Sequence, residues 1–126
     1  MHLAGYRALD LPFTYVPFAV TDVEGAVRGM RALGIRGLGV SMPYKQEVMR
    51  YIDALDPVAA RIGAVNTLVN DGGAIMGHNT DWIGAARALE EVTSLAGRRV
   101  LLLGAGGAAR AIAFGLRERG ASVIIA

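Results

Sequence analysis

Arg99 to Leu103 is an arginine followed by four apolar residues, and it runs directly into Gly104-Ala105-Gly106-Gly107-Ala108-Ala109. An apolar run without polar alternation is the pattern of a strand covered on both faces, as in parallel sheets. Ala108 to Arg119 has helical spacing, Gly120 is placed to end that helix, and Ser122-Val123-Ile124-Ile125 reads as a second buried strand. Parallel strands need a crossover of a dozen or more residues, usually a helix, so the segment is a strand–helix–strand unit. The spacing Gly104-x-Gly106-x-x-Ala109 sets small residues where such a unit needs a tight turn, close backbone approach to a pyrophosphate, and helix–strand contact. Gly104, Ala105, Gly106, Gly107 and Ala108 are the candidate cofactor-binding residues, because amides opening a helix favour phosphate. The same turn without a ligand is simply a tight connection. The side chain that distinguishes NAD from NADP follows the second strand, about 20 residues beyond the first glycines, which is at or past Ala126.

Upstream, strands and helices alternate, so the fold class is α/β. Ala8 to Leu11 finish a helix, and Phe13 to Val20 reads as a strand whose Pro17 puts it at an edge or a bulge. Thr21 or Asp22 caps a helix carrying Val23, Val27, Met30 and Leu33 on one face, with Gly34 as its terminator. Ile35 to Val40 is a glycine-weakened strand, and Pro43 fits the first turn of a following helix. Asp56-Pro57 opens a short helix, Ala64 to Val69 is a strand, Asp71-Gly72-Gly73 turns, and Ala74 to His78 returns as the second arm of a hairpin. Asp81 to Val92 is helical by pattern, with Ile83, Ala86 and Leu89 on one face. A boundary near Ser94 to Gly97 divides residues 1–94, a substrate-type unit, from 95–126, a nucleotide-binding unit of which only one strand–helix–strand is present. A lone unit of that kind leaves its sheet poorly covered, so the chain is expected to be incomplete, and its beginning is equally abrupt.

Composition excludes several function classes. The 126 residues contain no cysteine, which removes disulfides, thiolate nucleophiles and thiolate metal sites. His2 and His78 lack ligand-like spacing, so no metal is expected. The net charge of +2 is scattered, which gives no footprint for nucleic acid. No apolar run approaches the roughly 20 residues that span a bilayer, and no secretion-type leader is evident. A soluble, cytoplasmic protein acting on a small molecule is the expectation, with its oligomeric state open.

Two segments carry ionisable residues at strand ends: Val40-Ser41-Met42-Pro43-Tyr44-Lys45-Gln46 and Gly77-His78-Asn79-Thr80-Asp81. Reduction of a carbonyl builds negative charge on oxygen, which a nearby acid must quench, and the reverse reaction needs a base. A lysine with a partnering aspartate provides both, and Lys45 and Asp81 are the candidate catalytic pair. Taken singly, each also suits a helix start, where a solvated lysine and a dipole-favoured carboxylate are ordinary. Ser41, Asn66, Asn79 and Thr80 supply short polar side chains suited to a polyhydroxy substrate, or to caps and turns. Asn66-Thr67 within an apolar strand requires hydrogen-bond partners.

These blocks resemble the shikimate dehydrogenases and their quinate/shikimate relatives. Val40-Ser41-Met42-Pro43-Tyr44-Lys45 is similar to that family's Val-Thr-x-Pro-Phe-Lys segment. Ala64-Val65-Asn66-Thr67 with Asn79-Thr80-Asp81 is similar to its Val-Asn-Thr and Asn-Thr-Asp pair, and Gly104 to Ala111 to its nucleotide-binding turn. The resemblance implies an N-terminal α/β substrate domain with a mixed sheet, followed by the start of a Rossmann-type NAD(P)-binding domain, with the active site in the cleft between them. It implies NADP-dependent interconversion of 3-dehydroshikimate and shikimate in aromatic amino-acid biosynthesis, NAD remaining an alternative cofactor. Lys45 and Asp81 would be catalytic, and Ser41 and Asn66 would bind substrate hydroxyls. The family's serine-containing carboxylate grip would precede Met1, and its 2′-phosphate-reading segment and C-terminal helix would follow Ala126. Gly39, Ser41 and Trp82 replace the usual asparagine, threonine and glycine, and Ser41-Met42-Pro43-Tyr44-Lys45 with the bulky Trp82 after Asn-Thr-Asp is more similar to the shikimate dehydrogenase-like paralogues. Two other readings stay open: a truncated or degenerate chain that binds a ligand at most, and a related enzyme with a different substrate.

Overall fold

The computed structural model describes residues 2–126. The helices are α1 (His2–Ala8), α2 (Val23–Ala32), α3 (Pro57–Ile62), α4 (Asp81–Glu90) and α5 (Gly107–Glu118). The strands are β1 (Gly37–Gly39), β2 (Ala54–Leu55), β3 (Thr67–Asp71), β4 (Ala74–His78), β5 (Arg99–Leu102) and β6 (Ser122–Ile125). They form two sheets. One has the order β1-β3-β4-β2 and is mixed, with β1/β3 and β3/β4 antiparallel and β2/β4 parallel. The other is the parallel pair β5-β6, joined through α5. The α/β class and the mixed sheet expected from the sequence are what the chain adopts.

Local chemistry explains the helix limits. Asp22 caps α2 by accepting the Gly25 amide at 2.8 Å. Gly34, at φ +62, closes it: the Ile35 amide reaches back to Met30 O and the Gly34 amide to Arg31 O, the paired bonds of a Schellman turn. Asp56 caps α3 through the Val58 and Ala59 amides, with Pro57 at the first helical position. Between β3 and β4, Gly72 and Gly73 sit at φ +58 and +99, the positive pair that a two-residue hairpin loop demands.

The main core lies between α2 and the mixed sheet: Val23, Val27, Met30, Val48, Ala59, Val65, Leu68 and Ile75 are all buried. A second cluster, Ala86, Leu95, Leu116 and Ala121, joins α4 and α5 to the β5-β6 pair. A third, Ile62, Ala64 and Ala111 with Trp82 and Phe114 packed against it, lies between α3 and α5 and connects the other two. Trp82 and Phe114 meet edge to face at 5.4 Å. Helices α4 and α5 approach so closely that a Cβ on Gly115 would lie 2.5 Å from Trp82 O.

Several sequence expectations require correction. Phe13 to Val20 forms no strand and joins neither sheet, and Phe13, Val16 and Phe18 are exposed; β propensity alone supplies no ladder partner. Helix α1 ends at Ala8 because Asp10 turns at φ +50 and the Leu11 amide folds back to Tyr6 O. After Pro43 comes a series of turns and a single 3₁₀ turn over Glu47–Arg50, not an α-helix. Leu33 lies past the end of α2 and is exposed. Strand β3 starts at Thr67, because the Val65 amide is taken by Lys45 O outside the ladder. The β5-β6 pair is parallel as expected but is not buried on both faces: Leu101, Leu103, Ile124 and Ile125 are all more than half exposed.

Candidate active site

The turn after β1 carries Lys45, and the start of α4 carries Asp81. Two backbone bonds hold them together: Val65 N donates to Lys45 O at 2.7 Å, and Asn66 N donates to His78 O at 2.9 Å. The segment entering β3 therefore touches both candidate strand ends at consecutive residues. The Tyr44 hydroxyl anchors the same turn by donating to Val20 O at 2.8 Å. From these fixed positions Lys45 Nζ reaches Asp81 Oδ2 at 2.5 Å, with side chains 15% and 29% exposed. An amine and a carboxylate this sheltered interact more strongly than a surface pair, yet both remain open to a small molecule.

Asn66 completes the group. Its Nδ2 donates to Asp81 Oδ1 at 2.8 Å and to Thr80 Oγ1 at 2.9 Å, while its Oδ1 accepts from Thr67 Oγ1 and the Thr80 amide. A primary amide has two N–H donors and two lone pairs, and all four are engaged here. The partners that Asn66-Thr67 required are thus Thr80 and Asp81. Asn79 differs from its neighbours in being only 4% exposed, with its side chain turned into the protein. Ser41 is exposed at the head of the turn, one residue after Val40, whose amide donates to Asn66 O at 2.7 Å.

The glycine turn lies against this group. Gly104 adopts φ +102, open only to glycine without strain, and nothing lies within 4 Å of where its Cβ would be. Gly106 is extended and precedes α5, which starts with no side-chain cap and no acidic residue in its first turn. Gly104, Ala105, Gly106 and Ala108 are exposed. Exposed amides at a helix start with no side-chain cap and no acidic residue in the first turn suit a phosphate group. Gly107 is the point of junction: a Cβ there would lie 3.1 Å from Lys45 Cβ and 3.4 Å from Ala64 Cβ. Composition and spacing gave no sign of this contact, which arises only when α5 packs beside the Lys45 turn.

A model of the shikimate dehydrogenase substrate-binding domain matches residues 1–68, more than half of the chain. The chain belongs to the shikimate dehydrogenase family. A shikimate dehydrogenase (NADP(+)) of Methanothermobacter thermautotrophicus is 55% identical over 126 residues, spanning 98% of this chain and 44% of that relative. Among solved structures, a shikimate dehydrogenase in complex with NADP+ superposes with a TM-score of 0.93 at 42% identity, covering 99% of this chain and 44% of that one. The Listeria monocytogenes shikimate 5-dehydrogenase in complex with shikimate and NAD gives a TM-score of 0.87 at 41% identity, covering 98% and 44%. The chain thus spans less than half the length of these family members. Among the described residues, no helix is long and apolar enough to cross a membrane.

Proposed function

We propose that the full-length gene product is an NADP-dependent oxidoreductase that interconverts 3-dehydroshikimate and shikimate, and that Lys45 and Asp81 are its catalytic pair. The observation that supports this most is the 2.5 Å contact between Lys45 Nζ and Asp81 Oδ2, placed directly beside the glycine turn. When bound, the nicotinamide supplies or accepts the hydride. The first turn of α5 and the residues leading into it, Gly104, Ala105, Gly106, Gly107 and Ala108, would hold its pyrophosphate. Lys45 gives the proton to the carbonyl oxygen as negative charge builds there, and takes it back from the hydroxyl in the reverse direction. Asp81 directs the amine and accepts a hydrogen bond from a substrate hydroxyl through whatever of its carboxylate Lys45 and Asn66 leave free. Ser41 and Asn66 complete the grip on the polyhydroxy ring; to do so Asn66 exchanges one of its internal bonds for a substrate hydroxyl. In this reading residues 1–94 form the substrate-binding and catalytic domain, and residues 95–126 begin the nucleotide-binding domain. NADP is the cofactor proposed, since the Methanothermobacter relative is named for it and one solved family member is in complex with it, while the Listeria enzyme is in complex with NAD.

Replacing Lys45 tests the assignment. In the full-length gene product Lys45→Ala lowers turnover by about 10²- to 10⁴-fold, the range general acid–base groups contribute. Turnover within a few-fold of wild type in steady-state NADPH oxidation with 3-dehydroshikimate would remove Lys45 from the mechanism.

A further inference from the structure

The polar residues around Lys45 and Asp81 fall into two groups. Ser41, Asn66 and Thr80 lie at or near the surface of the site, whereas Asn79 is 4% exposed. A side chain so covered is not open to a substrate hydroxyl. Its amide is also occupied: Nδ2 donates to Ala64 O at 2.9 Å, and Oδ1 accepts from the Asp81 amide at 3.0 Å. We infer that Asn79 is a positioning residue for the catalytic pair, acting through the backbone of Asp81 without touching substrate or cofactor. The inference rests on the proposed roles of Lys45 and Asp81.

The bonds form a short closed path. Lys45 O is held by Val65 N, Val65 follows Ala64, Ala64 O is held by Asn79 Nδ2, and Asn79 Oδ1 holds Asp81 N. The path ends where it began, at the contact of Lys45 Nζ with Asp81 Oδ2. Ala64 is fully buried and lies where a Cβ on Gly107 would touch it, so the segment that Asn79 grips also abuts the start of α5. Asn66 also holds the start of α4, at the Thr80 amide and the Asp81 carboxylate, but the Asp81 amide is held by Asn79. Thr80 makes no side-chain capping bond, and the Oδ1 of Asn79 serves in its place. Removing the Asn79 amide leaves a buried carbonyl at Ala64 unpaired and frees the first amide of α4 to shift. The Asp81 carboxylate moves with that amide, while the turn that carries Ser41 and Lys45 keeps its own bonds to Val65 N and Val20 O. A displacement of about 1 Å in a catalytic group is enough to cost on the order of 100-fold in rate.

The test is a comparison of kcat and KM in the full-length gene product. Asn79→Ala is expected to lower kcat by about 10- to 100-fold while KM for shikimate stays within about threefold, since Asp81 is one of several groups that meet substrate but half of the catalytic pair. Asn79→Ser, which keeps a small polar group with shorter reach, is expected to fall between that variant and wild type. If Asn79→Ala does not fold, Asn79→Ser is judged by the same split. Val27→Ala, buried in the α2 core away from the site, controls for general loss of stability and should keep wild-type kcat despite a lower Tm. A raised KM with kcat preserved would mean that Asn79 touches substrate, and kcat near wild type would mean that it positions nothing. An equal kcat loss in Val27→Ala would make the effect one of stability. Each of these outcomes overturns the inference. Lys45→Ala separates the two claims: if it retains turnover, the catalytic reading fails first, whereas loss in Lys45→Ala with none in Asn79→Ala sinks only the positioning role.

Discussion

The two sheets are finished to different degrees. Around the mixed sheet, one continuous core backs a polar group in which every valence of Asn66 is used, and no buried side-chain nitrogen or oxygen among the described residues lacks a partner. The β5-β6 pair has its turn, its helix and a four-residue core, but its strands keep large apolar side chains in solvent. On the proposed reading, the side that would do proton chemistry must hold charged and polar atoms closely, whereas the side that would receive a phosphate needs only backbone shape and an absence of side chains. The more ordered side is then the one whose chemistry would depend on order, and Gly107 is where the two meet.

Substitutions matched between the two sides can break this contrast. Leu68 and Leu116 are each 1% exposed, one in each core, and either Leu→Ala change should cost about 2–5 kcal/mol in denaturant unfolding. Loss at Leu68 alone would mean that the β5-β6 side does not fold as part of the same cooperative unit. At the junction, Gly107→Ala brings a methyl to 3.1 Å from Lys45 Cβ and should cost about 1–3 kcal/mol or displace α5. In the full-length gene product it should lower kcat more than it raises KM for NADP; unchanged kinetics would show that the contact is dispensable. Ile124 is 59% exposed, and Ile124→Thr in these 126 residues should change stability by less than about 0.5 kcal/mol. A loss approaching that of Leu116→Ala would mean the strand face is covered in solution.

The smallest effect concerns acid. The Ile75 amide, and then the Arg31 guanidinium 2.7 Å away, hold the Asp53 carboxyl below its ordinary value. Because its folded pKa is the lower one, Asp53 stabilises the fold above the unfolded carboxylate value and loses that contribution as pH falls through the folded value. Asp53→Asn should therefore flatten the acid side of a stability-versus-pH curve and leave its shape near neutrality unaltered. An unchanged acid limb would remove Asp53 from the account. The carboxylate is exposed, so the change is small.

Much of this was legible in the residues. Caps at Asp22 and Asp56, stops at Gly34 and Gly120, the Gly72-Gly73 hairpin and the parallel pair all follow from local rules, and the structure follows them. Lys45, Asp81 and Asn66 were singled out by type and spacing, and they do come together. What could not be read depends on distant partners. Phe13 to Val20 has strand composition, but pairing is a property of two segments and not of one. Asn70 sits mid-strand as an unremarkable polar residue; folded, it is buried, with Nδ2 on Met30 O and Ile35 O and Oδ1 on the Gly73 amide, tying the end of α2 to the hairpin loop. Asn79 is of the same kind as Ser41 by residue type, and only burial separates a group that can meet substrate from one that cannot.

The Gly107 contact also bears on how much freedom the amine at position 45 has left. A free lysine side chain carries about 2 kcal/mol of rotamer entropy, which is lost whenever its tip must hold one position. Here the start of α5 lies close beside the root of the side chain, leaving no room for even a methyl at Gly107 without adjustment, and its tip is tied to Asp81, so the methylenes between have little room to move. That disorder is surrendered when the chain folds, so on the proposed reading a substrate arriving at the site would meet a proton donor already stilled.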